Sequence, residues 1–246
     1  MPLPDPPAPS SHLTFAVGDI HGCLTKLRRL RKACDDYAAG RPARYIFLGD
    51  YIDRGPQSRG VIEHLMEWQQ AAPDDVLCLK GNHEQIAIDA HNSADKVAMW
   101  LKNGGVETQT SYSATGGRIP DEHLAWMKSL PLAYDDGVRF FVHAGVDLDV
   151  PLNQQSPETV MWIRDAFYRL SDTIDCGRFI VHGHTPQTGG EPDLRKHRVN
   201  LDTAAVLGGP LTAGVFDDTQ AAPLGFIPDS PSLASTAAGW IRGATS

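Results

Sequence analysis

Tyr45-Ile46-Phe47-Leu48-Gly49-Asp50-Tyr51-Ile52-Asp53-Arg54-Gly55 is an apolar run that stops at a glycine and opens into a turn carrying two carboxylates and an arginine. Four consecutive apolar residues bounded by a turn signal read as a buried strand. The polar residues then fall at its C-terminal end, which is where α/β proteins build their sites. The pattern recurs four more times. Leu13 to Val17 leads into Gly18-Asp19-Ile20-His21-Gly22, and Val76 to Leu79 into Gly81-Asn82-His83-Glu84. Phe140-Phe141-Val142 leads into His143-Ala144-Gly145, and Phe179-Ile180-Val181 into Gly183-His184-Thr185. A lone Gly-Asp or Gly-His is mostly just a turn. Five such segments in order, offering carboxylate, amide oxygen and imidazole, spell a site for two metal ions.

Between these runs the period changes. Leu24, Leu27, Leu30, Cys34 and Tyr37 recur at helical spacing, as do Val61, Ile62, Leu65, Met66 and Trp68. An insert spans roughly 85–136. Ile86, Ile88, Val97, Met99, Trp100 and Leu101 are helically spaced in it, and a Gly/Ser-rich loop is expected over 103–117. The insert either caps an active site or forms an ordinary helical layer. Val199-Asn200-Leu201 and Leu211 to Phe216 read as closing strands. The expected organisation is a flexible Pro-rich segment over 1–11, one catalytic domain over 12–220, and a loosely packed Ala/Ser/Gly/Pro-rich tail over 221–246 in which Trp240 and Ile241 can dock.

The 246 residues, 41% of them hydrophobic, suffice for one well-buried core. Against 30 acidic residues there are 22 basic ones, a net charge of −8. Nucleic-acid binders usually carry a basic footprint, so that class is disfavoured. No apolar stretch approaches the ~20 residues of a membrane span, and the N-terminus lacks the basic and apolar regions of a signal peptide. Cys23, Cys34, Cys78 and Cys176 form no C-x-x-C pair. They read as reduced thiols of a cytoplasmic protein.

In residues and order, the five segments resemble the calcineurin-like metallophosphoesterases. Asp53-Arg54-Gly55 resembles the phosphoprotein phosphatase branch, which includes bacterial serine/threonine protein phosphatases and diadenosine tetraphosphatase-like enzymes. The resemblance covers about residues 15–216. It implies an α/β fold with a central β-sandwich flanked by helices, four layers in the order αββα, with a dinuclear metal site at the C-terminal ends of strands. It implies that Asp19 and His21 hold one ion, that Asp50 bridges, and that Asn82, His143 and His184 complete the second. His83 would be the general acid, oriented by Asp53. Arg54, and Arg164 within Met161-Trp162-Ile163-Arg164-Asp165, would grip phosphoryl oxygens. Of the two histidines around Gly183, the family's ligand precedes Thr-Pro, which selects His184 and leaves His182 to pack.

Two departures stand out. Pro186 stands where broader family members carry another histidine, and Asp202-Thr203-Ala204 stands where relatives have Asp-Thr-Gly. The implied cofactors are two divalent ions, Mn²⁺ first, with Fe and Zn²⁺ also suited to the donors. The implied reaction is in-line attack by a metal-bridging hydroxide on phosphate monoesters, with no phosphoenzyme. Phosphoserine and phosphothreonine in proteins are the leading substrates, and phosphotyrosine is a further one. Hydrolysis of diadenosine tetraphosphate or another phosphorylated small molecule is the alternative. A non-catalytic scaffold is disfavoured because His83, Asp53 and Arg54 are all kept. No regulatory subunit is evident.

Overall fold

The computed structural model describes residues 12–171, 173 and 175–230. The expected N-terminal tail, and Trp240 and Ile241, lie outside them. The chain begins with β1 (Leu13–Val17), α1 (Leu24–Ala38), β2 (Ala43–Phe47), α2 (Ser58–Ala71) and β3 (Val76–Cys78). The insert follows as α3 (Asn82–Asn92), α4 (Ala94–Trp100), a wide turn over Leu101–Gly105, α5 (Val106–Ser111) and α6 (Asp121–Ser129). After it come β4 (Ala133–Asp135), β5 (Arg139–Val142), α7 (Pro157–Trp162), α8 (Asp165–Leu170) and β6 (Phe179–His182). The last elements are β7 (Asp193–Leu194), β8 (Arg198–Asn200), β9 (Thr212–Phe216) and β10 (Gly225–Pro228). Among the described residues no helix is long and apolar enough to cross a membrane.

Two five-stranded sheets form, ordered β10-β9-β1-β2-β3 and β4-β5-β6-β8-β7. Strand parity explains the layering, because successive side chains point to opposite faces. Leu13, Phe15 and Val17 face outward onto Leu24, Leu27 and Leu30 of α1 and Val61, Ile62 and Leu65 of α2. Their neighbour Ala16 faces inward with Ile46 and Leu48, against Phe141, Val181 and Val199 of the other sheet. Phe140, Val142 and Ile180 take the far face and meet Val160 and Met161 of α7 and Phe167 of α8. The result is helix, sheet, sheet, helix. Strands β1, β2 and β3 run parallel in one sheet, and β5, β6 and β8 in the other. Their C-terminal ends therefore gather the five polar turns at one edge.

Two expectations need correcting. The region over 103–117 is not one loop, because Val106–Ser111 is helical, with Thr108 buried on its inner side. The tail does not loosen at 221, because Gly225–Pro228 pairs antiparallel with β9 as the last strand of its sheet. Ile227 is buried there, and Asp229 accepts a hydrogen bond from the Leu211 N–H. Composition hid both elements. Glycine and serine around α5, and alanine and proline around β10, obscured short apolar patterns that need the rest of the sheet to bury them.

Candidate metal centre

Seven non-glycine residues among those described have positive φ, and five belong to the predicted set: His21, Asp50, Asp53, Arg54 and His184. Left-handed backbone is costly for side chains other than glycine. Here glycine would discard the functional group, so the strain sits on residues that cannot be replaced by it. Close approach does need glycine at Gly81, where a Cβ would stand 2.2 Å from the Asp50 carboxylate.

The structure brings Asp19, His21, Asp50, Asn82, His143 and His184 together, all buried. Two groups of donor atoms share Asp50: His21, Asp50 and His83, and Asp50, His143 and His184. In each group the atoms lie within 4.8 Å of one another. Backbone carbonyls set the ring tautomers. His21 Nδ1 donates to Ile52 O at 2.8 Å and His143 Nδ1 to Leu48 O at 2.9 Å, so both Nε2 lone pairs face inward. His143 Nε2 then lies 2.9 Å from Asn82 Oδ1, 3.1 Å from His184 Nδ1 and 3.5 Å from Asp50 Oδ1. A proton on His184 can satisfy one of these contacts. The Asn82 and Asp50 oxygens still confront a lone pair, an arrangement that a cation satisfies and hydrogen bonds do not.

Electrostatics point the same way. Burial, with Asp202 and Asp50 nearby, holds the Asp19 carboxyl well above the usual range. Burial and Asp50 push Asp202 up to about 6. This surplus of buried negative charge is what a divalent ion relieves. Burial lowers His21 to about 3 and His184 to about 2, which leaves both rings neutral and able to ligate. The carboxylate, amide and imidazole donors thus fit hard-to-borderline divalent ions.

Beside this cluster His83 Nδ1 donates to Asp53 Oδ2 at 2.8 Å, and His83 Nε2 lies 3.9 Å from Asp50 Oδ2. Burial alone would lower the His83 pKa, but the Asp50 and Asp53 carboxylates outweigh it and raise the value. Arg54 and Arg164 are both exposed. Arg54 Nη1 donates to His21 Nε2 at 2.8 Å, and Arg164 Nη2 to His184 O at 3.2 Å. His182 packs beside the site between Phe167 and Tyr168.

Asp202 keeps its turn despite the Ala204 substitution. Ala204 adopts φ +59° and its N–H donates to Asp202 Oδ1 at 3.1 Å. Sequence reasoning assigned no role to Glu84. Its buried carboxylate accepts from the N–H groups of Gly81, Asp50 and Tyr51 at 3.0, 2.9 and 2.8 Å, tying two of the turns together. A glutamate three residues after a helix-capping position was the available signal.

His182 makes stability pH-dependent. Burial, then Arg198, lowers its pKa to about 3. Below its ordinary 6.5 the unfolded chain binds a proton that the fold refuses, so stability falls as pH falls from 6.5 toward 3. The slope is about 1.4 kcal/mol per pH unit for one such histidine. His21 and His184 add slope of the same sign in metal-free protein. In metal-free protein the buried carboxyls of Asp19, Asp202 and Glu84, held above their ordinary range, add slope of the opposite sign. The check is therefore a difference: between about pH 6.5 and 5 the urea midpoint should fall more, or rise less, in wild type than in His182→Gln. The same pH dependence in both proteins would contradict the burial of a neutral His182.

Residues 13–209 match the calcineurin-like phosphoesterase family model. Among characterised proteins, the chain is 31% identical over 206 residues to serine/threonine-protein phosphatase 1 of Salmonella typhimurium, covering 80% of this chain and 89% of that one. It is 29% identical to the asymmetrical bis(5'-nucleosyl)-tetraphosphatase PrpE of Anoxybacillus flavithermus, covering 80% and 87%. Among solved structures a cold-active protein tyrosine phosphatase superposes with a TM-score of 0.62 at 17% identity, covering 85% and 75%, a likeness of fold. Through the family match over most of its length, and the buried carboxylate and imidazole cluster at the sheet edge, the chain belongs to the calcineurin-like phosphoesterases.

Proposed function

We propose that the chain is a metal-dependent phosphatase whose principal substrates are phosphoserine and phosphothreonine in proteins, with Mn²⁺ as the working metal. The observation that carries this reading is the convergence of lone pairs on His143 Nε2 beside an intact His83–Asp53 pair. The resemblance to the Salmonella phosphatase supports the substrate class. Asp19, His21 and Asp50 would hold one ion, and Asp50, Asn82, His143 and His184 the other. Such ions neutralise charge on the phosphoryl group and make a water nucleophilic near neutral pH.

The remaining work falls to protein groups. Arg54, beside His21, and Arg164, beside His184, hold phosphoryl oxygens, each with a planar fork of donors. His83 keeps its Nδ1 proton on Asp53, so Nε2 is the atom that delivers a proton to the leaving oxygen. The four cysteines are free in the structure and fit a reducing compartment, and the cytoplasm is the proposed location.

A second reading, hydrolysis of dinucleoside polyphosphates, draws support from the Anoxybacillus relative. It also draws on Trp162, which is 42% exposed with its ring centroid 6.2 Å from that of His184 and offers a flat surface to a base. The discriminating experiment strips the metal, restores Mn²⁺, and compares kcat/KM on a phosphoserine peptide and on diadenosine tetraphosphate. Preference for the peptide is expected. Preference for the dinucleotide would replace the leading reading with the second.

A further inference from the structure

We infer that Trp100 and Thr108, both from the helical insert, are positioning residues for the proton donor, holding Asp53 so that His83 Nε2 stays aimed at the leaving group. This rests on the general-acid reading of His83. Asp53 is fully buried, and each of its carboxylate oxygens has an assigned donor. Oδ2 accepts from His83 Nδ1 at 2.8 Å. Oδ1 accepts from Thr108 Oγ1 at 2.7 Å and Trp100 Nε1 at 3.0 Å. The same threonine oxygen takes the Asp53 N–H at 2.9 Å, so a single side chain grips both the carboxylate and the backbone of a residue at φ +70°.

The segment between the two is shaped to the Asp53–Arg54 turn. Arg54 N donates to Gly104 O at 3.0 Å, and Gly104 has φ +102°, with a Cβ there falling 2.6 Å from Arg54 N. Neither Trp100 nor Thr108 is within hydrogen-bonding distance of the candidate ligand atoms. Their side-chain hydrogen bonds end on Asp53 and Ser58. A buried carboxylate released from two donors can rotate, and the imidazole it orients rotates with it. Through these two side chains the insert braces the proton donor.

The test uses full-length Mn²⁺-reconstituted protein with Thr108→Val, Thr108→Ser, Trp100→Phe and His83→Asn, assayed on a phosphoserine peptide and on p-nitrophenyl phosphate. An alkoxide needs its proton far more than nitrophenolate does. Thr108→Val and Trp100→Phe should each lower kcat on the peptide about tenfold or more, and at least several-fold less on the aryl ester. Thr108→Ser should recover most of the loss. Metal content should stay at the wild-type value. In metal-free protein the His83 Nδ1 proton resonance should move upfield in Thr108→Val.

Equal losses on both substrates, or no loss on either, would overturn the inference, provided His83→Asn still discriminates between them. Should His83→Asn fail to discriminate, the general-acid reading falls and the inference with it. Where Thr108→Val does not fold, the same comparison on Trp100→Phe decides.

Discussion

Replacing His83 by asparagine is expected to lower kcat on a phosphoserine peptide by roughly 10²–10⁴-fold, with a much smaller loss on p-nitrophenyl phosphate. The serine alkoxide is a poor leaving group and departs only as a proton arrives, whereas nitrophenolate leaves unaided. His83 is 1% exposed, and its Nδ1 is committed to Asp53, so Nε2 has a fixed direction. Asparagine fills similar space but has no proton it can transfer at neutral pH. The competing role is visible in the geometry, because His83 also shares a potential ion-binding group with His21 and Asp50. Metal analysis separates the two. A proton donor leaves metal content unchanged and splits the substrates, whereas a ligand loses an ion and both activities together. The second pattern would end the proton-donor reading.

The strands and their turns were legible because each is local. Tyr45 to Leu48 announces a buried strand by its own composition, and Gly49 announces the break. Side-chain parity in β1 and β5 then dictates which residues meet between the sheets. The candidate ligands were legible for another reason, since each is a metal-ligating residue type next to or two residues from a glycine at a strand end. Arg164 was found only through its neighbours in a resembling motif, and the structure sets its guanidinium against the His184 carbonyl.

What stayed hidden depends on partners far away in the chain. Thr108 is one polar residue in a Gly/Ser-rich stretch until the fold sets it against Asp53, 55 positions earlier. Phe226 and Ile227 are too short a run to declare a strand, and become one only because β9 offers an open edge. The insert's purpose was undecided for the same reason. Helical spacing tells that Trp100 turns inward, but not that its indole N–H ends on a carboxylate of the site.

Glu84→Ala is expected to be the most destabilising single change near the site, and for a reason separate from catalysis. Its carboxylate is fully buried and receives the N–H groups of Gly81, Asp50 and Tyr51, three donors from two turns that deliver candidate ligands. Burial, then Asp50, pushes its carboxyl up to about 7, while the backbone N–H bonds of Tyr51 and Asp50 pull the other way. Removing the side chain orphans all three donors where water has little access. Each unsatisfied buried group costs about 1–3 kcal/mol, so three sum to roughly 3–9 kcal/mol. Relief of the buried carboxyl's own desolvation sets the expected loss at the lower end, roughly 3–5 kcal/mol, a large share of a typical domain's stability of about 5–15 kcal/mol. For a chain of this length that corresponds to a Tm lowered by roughly 6–20 °C. Glu84→Gln should lose less, since its amide oxygen still accepts while its NH₂ opposes a backbone donor. Calorimetry on metal-free protein isolates this effect from weakened ion binding. The turn holding Asp50 should also loosen, so ion affinity should fall alongside Tm in the alanine variant. A Tm within about 2 °C of wild type would mean that water replaces the carboxylate, and that the two turns hold their places without it.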